Sequence, residues 1–159
     1  MEYLRVKNQH PTWCGPVAVA LLTGCSVNDA AQLYANVQNH WRRPSNRNYR
    51  MHSTSIVGVW NGETKWVLDL LGFDICHIET AQGLTVRDFV QFGDLLVANV
   101  KTLIAVPGHY VVGYRRRVSD NNKLNMEADA HPMADETIDN AWRVEQKPYG
   151  DHHELRFIA

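Results

Sequence analysis

The chain holds 159 residues, a length that suits a single domain over 1–159. Hydrophobic residues make up 45% and charged residues 21%, the ordinary balance of a soluble globular protein. The formal net charge of −1 supplies no field toward nucleic acid or anionic lipid, so neither partner is expected. No apolar run approaches the ~20 residues that span a bilayer, so no membrane association is expected. Met1–Arg5 lack the basic and apolar regions of a signal peptide. The three cysteines, Cys14, Cys25 and Cys76, cannot complete an intrachain disulfide framework. Both features point to a reducing, cytoplasmic setting.

The first expected element is a helix over 15–22, apolar almost all round and therefore buried, with Gly24 as its stop. Ser26 reads as the N-cap of a second helix over 27–37, with Asp29 in the first turn. Residues 38–55 are polar and read as a long surface loop. A third helix is expected over 63–71 from the stripe Trp66, Val67, Leu70 and Leu71, ended by Gly72. Residues 73–78 alternate as a strand, and Thr85 caps a short helix over 86–92.

From Leu95 the pattern becomes strand-like over 95–100 and 102–106. Pro107-Gly108 breaks the run before a further strand from His109 to Tyr114. Residues 119–136 are polar and turn-rich, and late strands are expected over 141–144 and 155–158. Helices first and antiparallel strands afterwards argue an α+β fold, with N-terminal helices packed on a C-terminal sheet.

Chemistry is most visible in Gln9-His10-Pro11-Thr12-Trp13-Cys14-Gly15-Pro16. Cys14 falls where a loop enters a helix, among N–H groups without helical partners and at the positive end of the dipole. That setting favours the thiolate, which is the nucleophilic form. Gln9 offers an amide N–H₂ that can hold an oxyanion. A cysteine nucleophile needs a base, and His109 stands out among eight histidines because it opens an apolar strand after a rigid Pro-Gly turn. His40, His52, His131, His152 and His153 lie in polar stretches and read as solvated. No Cys-x-x-Cys or His-x-x-x-His spacing supports a metal site. Cys25 and Cys76 lack a helix-start context and read as inert, and Trp13 reads as packing. Arg42-Arg43 and Arg115-Arg116-Arg117 read as solvated faces rather than a nucleic-acid surface.

Gln9-x4-Cys14-Gly15-Pro16-x-Ala18, followed by Gly108-His109-Tyr110-Val111-Val112, resembles the papain-like cysteine peptidase superfamily. The likeness is nearer to the peptidases that process double-glycine leaders, and to small papain-like proteins of bacteriophages, than to papain. It spans roughly residues 8–144, with only the Cys and His motifs sharp. The resemblance implies a papain-like fold with Cys14 as nucleophile and His109 as general base. It implies that Gln9 and the Cys14 backbone N–H form the oxyanion hole, that no cofactor is needed, and that the substrate is a protein or peptide. A phage origin would place the chain in the host cytoplasm.

For the third member, Val118-Ser119-Asp120-Asn121 resembles the hydrophobic-x-Asp element of the phage-type relatives. A tight hairpin would return the Asp120 carboxylate to the imidazole. Its turn would fall in Gly113–Arg117, which lacks the Asn-Gly or Asp-Gly that two-residue hairpins prefer. Ile138-Asp139-Asn140-Ala141-Trp142 resembles papain's Ile-x-Asn-x-Trp element, so Asn140 is the alternative and Asp139 the third candidate. Three activities fit: peptide or isopeptide hydrolysis through an acyl-enzyme, acyl transfer or deamidation by the same site, and an inactive module that binds and blocks a partner protein. The sequence sets neither substrate nor oligomeric state.

Overall fold

The computed structural model describes residues 3–6, 13–42, 60–94 and 98–148. Among them the chain forms α1 (Cys14–Thr23), α2 (Val27–Arg42), α3 (Asn61–Leu70), β1 (Phe73–His77), α4 (Val86–Phe92), β2 (Thr102–Val106), β3 (His109–Tyr114), β4 (Arg117–Ser119), β5 (Met126–Glu127) and β6 (Asn140–Gln146). The class is α+β. One antiparallel sheet runs in the order β1-β6-β2-β3-β4-β5.

The helix boundaries follow local chemistry. Gly24 takes φ 83° and its N–H donates to Ala20 O at 2.9 Å, closing α1 in the left-handed conformation that glycine adopts freely. Ser26 Oγ accepts from Asp29 N at 3.0 Å, and Thr85 Oγ1 accepts from Asp88 N at 3.2 Å, so α2 and α4 are capped as their sequences suggest. α2 runs five residues past the expected end at 37, into the stretch read as loop. The rest of that stretch, 43–55, lies outside the described residues, as does the expected strand over 155–158. α3 begins earlier than its apolar stripe, because Glu63 Oε1 accepts from Trp60 N at 3.0 Å and fixes the first turn. Of the expected strand over 95–100, residues 98–100 are not extended: residue 98 is helical and 99 and 100 turn, while 95–97 lie outside the described residues.

The sheet is covered on both faces. Leu103, Ala105, Tyr110, Val112, Trp142 and Val144 pack under α1, α2 and α3. Ile104, Val106, Val111, Val118 and Ala141 pack against α4 and the segment from Ala128 to Ile138. β2, central in the sheet, is buried along its whole length, which explains its continuous apolar sequence. The fully apolar surface of α1 is explained in the same way, since every residue from Gly15 to Leu22 is buried.

Two hairpins set the order β2-β3-β4. Val106 pairs with His109 across Pro107-Gly108, and Gly108 takes φ 70° in a turn where proline presets the preceding φ. Tyr114 pairs with Arg117 across Arg115 and Arg116, which take φ 49° and 61°. Two arginines thus occupy the left-handed positions that favour Asn-Gly, at about 1 kcal/mol or more each. Long-range contacts offset that strain. The Arg116 guanidinium donates to the carbonyls of Val90, Gln91 and Gly93 at the C-terminal end of α4, the Val90 and Gly93 contacts being 3.4 Å. Arg115 N donates to Ala98 O at 2.8 Å, and its guanidinium lies 5.2 Å from the Tyr114 ring centroid. The arginine run is therefore not the solvated face its composition suggests. Arg117 also donates, through Nη1, to Asn125 O at 3.0 Å.

Candidate active site

The site forms where the N-terminus of α1 meets the first residues of β3. Trp13 is the N-cap, so Cys14 is the first helical residue, and the first intrahelical bond runs from Val17 N to Trp13 O at 3.1 Å. Pro16 fits here because a first-turn residue needs no N–H. The N–H of Gly15 and the N–H of Tyr110 both point at the Cys14 sulfur. From the start of β3 the His109 ring faces the same sulfur, and each group shifts the other's pKa toward the charged pair.

Burial alone would push the Cys14 thiol up. The bond from His109, the Tyr110 N–H, the charge on His109 and the Gly15 N–H outweigh it and hold the thiol below its ordinary value of 9.0. Cys25 goes the other way: burial pushes it up, and Asp29 adds to the rise. All three cysteines are free. Among the described residues, the His109 imidazole faces the sulfur of Cys14.

His109 Nε2 lies 2.8 Å from Asp120 Oδ2, across the hairpin that the two arginines close. With Nε2 committed to Asp120, the ring chemistry leaves Nδ1 for the sulfur. The bonds to Asp120 and then to Cys14 raise His109 against its burial to about 9. At neutral pH the ring is therefore an imidazolium, with the Asp120 carboxylate on one side and the Cys14 sulfur on the other.

Asp120 is held as tightly as the ring. Its side chain is 3% exposed. Asn122 N and Lys123 N donate to Oδ1 at 2.9 and 2.8 Å, and its own N–H donates to Lys123 O at 2.7 Å. Burial would push this carboxyl up, but the bond from His109, the nearby His131 ring and the N–H groups of Lys123 and Asn122 hold it well below the ordinary carboxylate range. Asp120-Asn121-Asn122 is a sequence that favours such a turn, because aspartate bonds the backbone two residues on.

The structure brings Cys14, His109 and Asp120 together and leaves the other third-member candidates elsewhere. Asn140 Oδ1 lies 3.2 Å from His77 Nε2, and the Trp142 ring is 6.0 Å from the His77 ring. The topology explains this. Asn140 pairs with Ala105, and Ala105 pairs with Tyr110, so β2 stands between Asn140 and β3. Two strand spacings amount to about 10 Å, out of side-chain bonding reach of His109. Asp139 is exposed, and its N–H donates to Ala105 O at 2.9 Å. Gln9, expected in the oxyanion hole, lies outside the described residues.

Two features of the site were not visible in the sequence. His131, expected in solvent, has a fully buried side chain, and its Nε2 stands 3.5 Å from Asp120 Oδ2. Its burial follows from the segment Ala128–Ile138, which packs Ala128, Met133 and Ile138 against the sheet. No periodicity or motif marks it. The second feature is a buried polar chain close to Cys14. Tyr34 Oη and Thr64 Oγ1 are 2.7 Å apart, Thr64 Oγ1 donates to Tyr110 Oη at 3.2 Å, and Tyr110 Oη donates to Asn61 Oδ1 at 2.5 Å. Burial pushes Tyr110 up to about 12, so its hydroxyl stays protonated as a donor.

Among the described residues no group of three or more His, Cys, Asp or Glu side chains gathers within metal-binding reach. None of the described helices is long and apolar enough to cross a membrane. Comparison with family models, with curated proteins and with solved structures finds no match.

Proposed function

We propose that this chain is a papain-like cysteine hydrolase that cleaves a peptide or isopeptide bond. The observation that carries the reading is the ordered chain of contacts from the Cys14 sulfur through His109 to Asp120 Oδ2, with Cys14 at the N-terminus of α1. A thiolate paired with an imidazolium is the resting state that thiol hydrolases need.

In this reading the Cys14 thiolate attacks the scissile carbonyl and the carbonyl oxygen becomes an oxyanion. The Cys14 backbone N–H, which has no helical partner, stabilises that charge, with Gln9 as the expected second donor. His109 gives its proton to the leaving amine as the C–N bond breaks, and the acyl group stays on sulfur as a thioester. Neutral His109 then takes a proton from water as the water attacks the thioester. The thiolate leaves, and the imidazolium is restored. Asp120 keeps the ring oriented and stabilises the imidazolium without taking its proton. No step calls for a cofactor. A free, low-pKa thiol works best in a reducing compartment, so we place the protein in the cytoplasm, acting on a protein or peptide.

The test is a mixed peptide library incubated with the purified chain and read by mass spectrometry, with Cys14→Ala as control. Cleavage products that appear with the wild-type chain and vanish with the variant support hydrolysis. Products joined to an added amine rather than to water would assign the site to acyl transfer instead. Identical profiles for the wild-type chain and the variant would contradict the reading.

A further inference from the structure

A buried ionised carboxylate presents about four lone-pair positions to fill. At Asp120, Oδ1 accepts from Asn122 N and Lys123 N, and Oδ2 is bonded to His109 Nε2 at 2.8 Å. His131 Nε2 stands 3.5 Å from that same Oδ2. That contact is long, so it acts through charge and dipole more than as a full hydrogen bond. The proton on His131 is fixed by its other nitrogen, because Met133 N donates to Nδ1 at 3.0 Å. A nitrogen that accepts carries no proton, so a neutral His131 ring holds its proton on Nε2, aimed at Asp120. A second imidazole therefore stands behind the first, on the same oxygen.

We propose that His131 is a positioning residue of the site: its buried Nε2–H is aimed at Asp120 Oδ2 from 3.5 Å, so that the carboxylate's field acts on two imidazoles. The inference rests on the hydrolase reading for its purpose. A carboxylate that held the His109 proton alone would hold it more firmly, and the imidazolium would be a weaker acid toward a leaving amine. Sharing Oδ2 keeps His109 able to give the proton up. The groups that act on His109 are Asp120 from the turn after β4 and Cys14 from α1.

The experiment uses the full chain labelled with nitrogen-15. Imidazole correlation spectra report the His131 tautomer and follow the His109 titration from about pH 5 to 11, a window that brackets ordinary and raised histidine values. The wild-type chain should show His131 protonated on Nε2. In His131→Phe the His109 midpoint should rise by about half a pH unit, and in His131→Gln, which returns an N–H donor, it should stay near wild type. A wild-type His131 protonated on Nδ1 overturns the proposal. So does a His131→Phe midpoint that is unchanged or lowered, which would mark a packing role. A melting curve checks that each variant folds, and if His131→Phe does not, the wild-type tautomer decides. These readouts need no substrate. Loss of the hydrolase reading through failed peptide cleavage, with the midpoint shift intact, would therefore be seen as a separate result.

Discussion

Replacing Asp120 by Asn removes the charge that raises His109 while keeping the side chain's shape. In the wild-type chain His109 titrates at about 9, and the Asp120 bond is the largest cause of that rise. Without it the ring returns toward its ordinary value of 6.5. Were that return complete, the imidazolium fraction at pH 7.5 would drop from roughly 97% to roughly 9%, about tenfold. Cys14 loses the cation that favours its thiolate, so burial dominates and the thiol rises. An Asn amide can also donate to Nε2, which would move the ring proton to Nδ1 and misdirect the base. The assay is the rate of iodoacetamide alkylation at Cys14 across pH 5 to 10, read by peptide mapping. The variant should react about tenfold more slowly near pH 7.5 and recover above pH 9, where an unaided thiol ionises. A profile that superimposes on the wild type would refute the claim that Asp120 sets the charge state of the pair.

Other consequences follow from the same contacts. Asn140→Ala should leave the Cys14 alkylation profile unchanged, because Asn140 bonds His77 across the sheet; a slowing would mean that Asn140 reaches His109 after all. Arg116→Ala should lower stability by about 1–2 kcal/mol in a urea melt, since the carbonyls at the end of α4 lose their donor; an unchanged midpoint would show that the hairpin strain is offset elsewhere. Thr64→Val should cost about 1–3 kcal/mol by leaving the Tyr34 and Tyr110 hydroxyls without their shared buried partner. Stability should also follow pH with opposite signs at its two ends. His109 is raised in the folded chain, so its contribution is full below its ordinary 6.5 and is lost as pH rises through about 9. Asp120 is lowered, so its contribution is full above its ordinary 3.8 and is lost as pH falls below it. Melting temperature should therefore be highest between these limits, and in Asp120→Asn the acid limb should flatten.

What could be read from the sequence was local. Cys14 at a helix start, the caps Ser26 and Thr85, the stop at Gly24 and the turn at Pro107-Gly108 each depend on residues within a few positions of one another. Asp120 could be singled out because a hairpin is a local device, and its own sequence favours the turn that pins its carboxylate. What could not be read was held by distant partners. Arg115 and Arg116 make a poor turn on local grounds, and they are tolerated because Arg116 reaches α4. Asn140 carries a motif that fits the site, yet β2 keeps it from β3, and strand order is not written in any one strand. His131 sits in a polar stretch, and only the packing of Ala128, Met133 and Ile138 turns it inward. Ala98, Asn99 and Val100 end an apolar run of strand composition but turn instead of joining the ladder. Propensity gives way there to the packing around it.

The central claim is that the contacts of Cys14 make it ionise more readily than an ordinary thiol, and competitive alkylation tests it most directly. With iodoacetamide below the total thiol concentration at pH 6.5, peptide mapping ranks Cys14 against Cys25 and the exposed Cys76. The account predicts that Cys14 is modified first, although it is less exposed than Cys76. Faster modification of Cys76, with Cys14 untouched until the pH passes about 9, would contradict it.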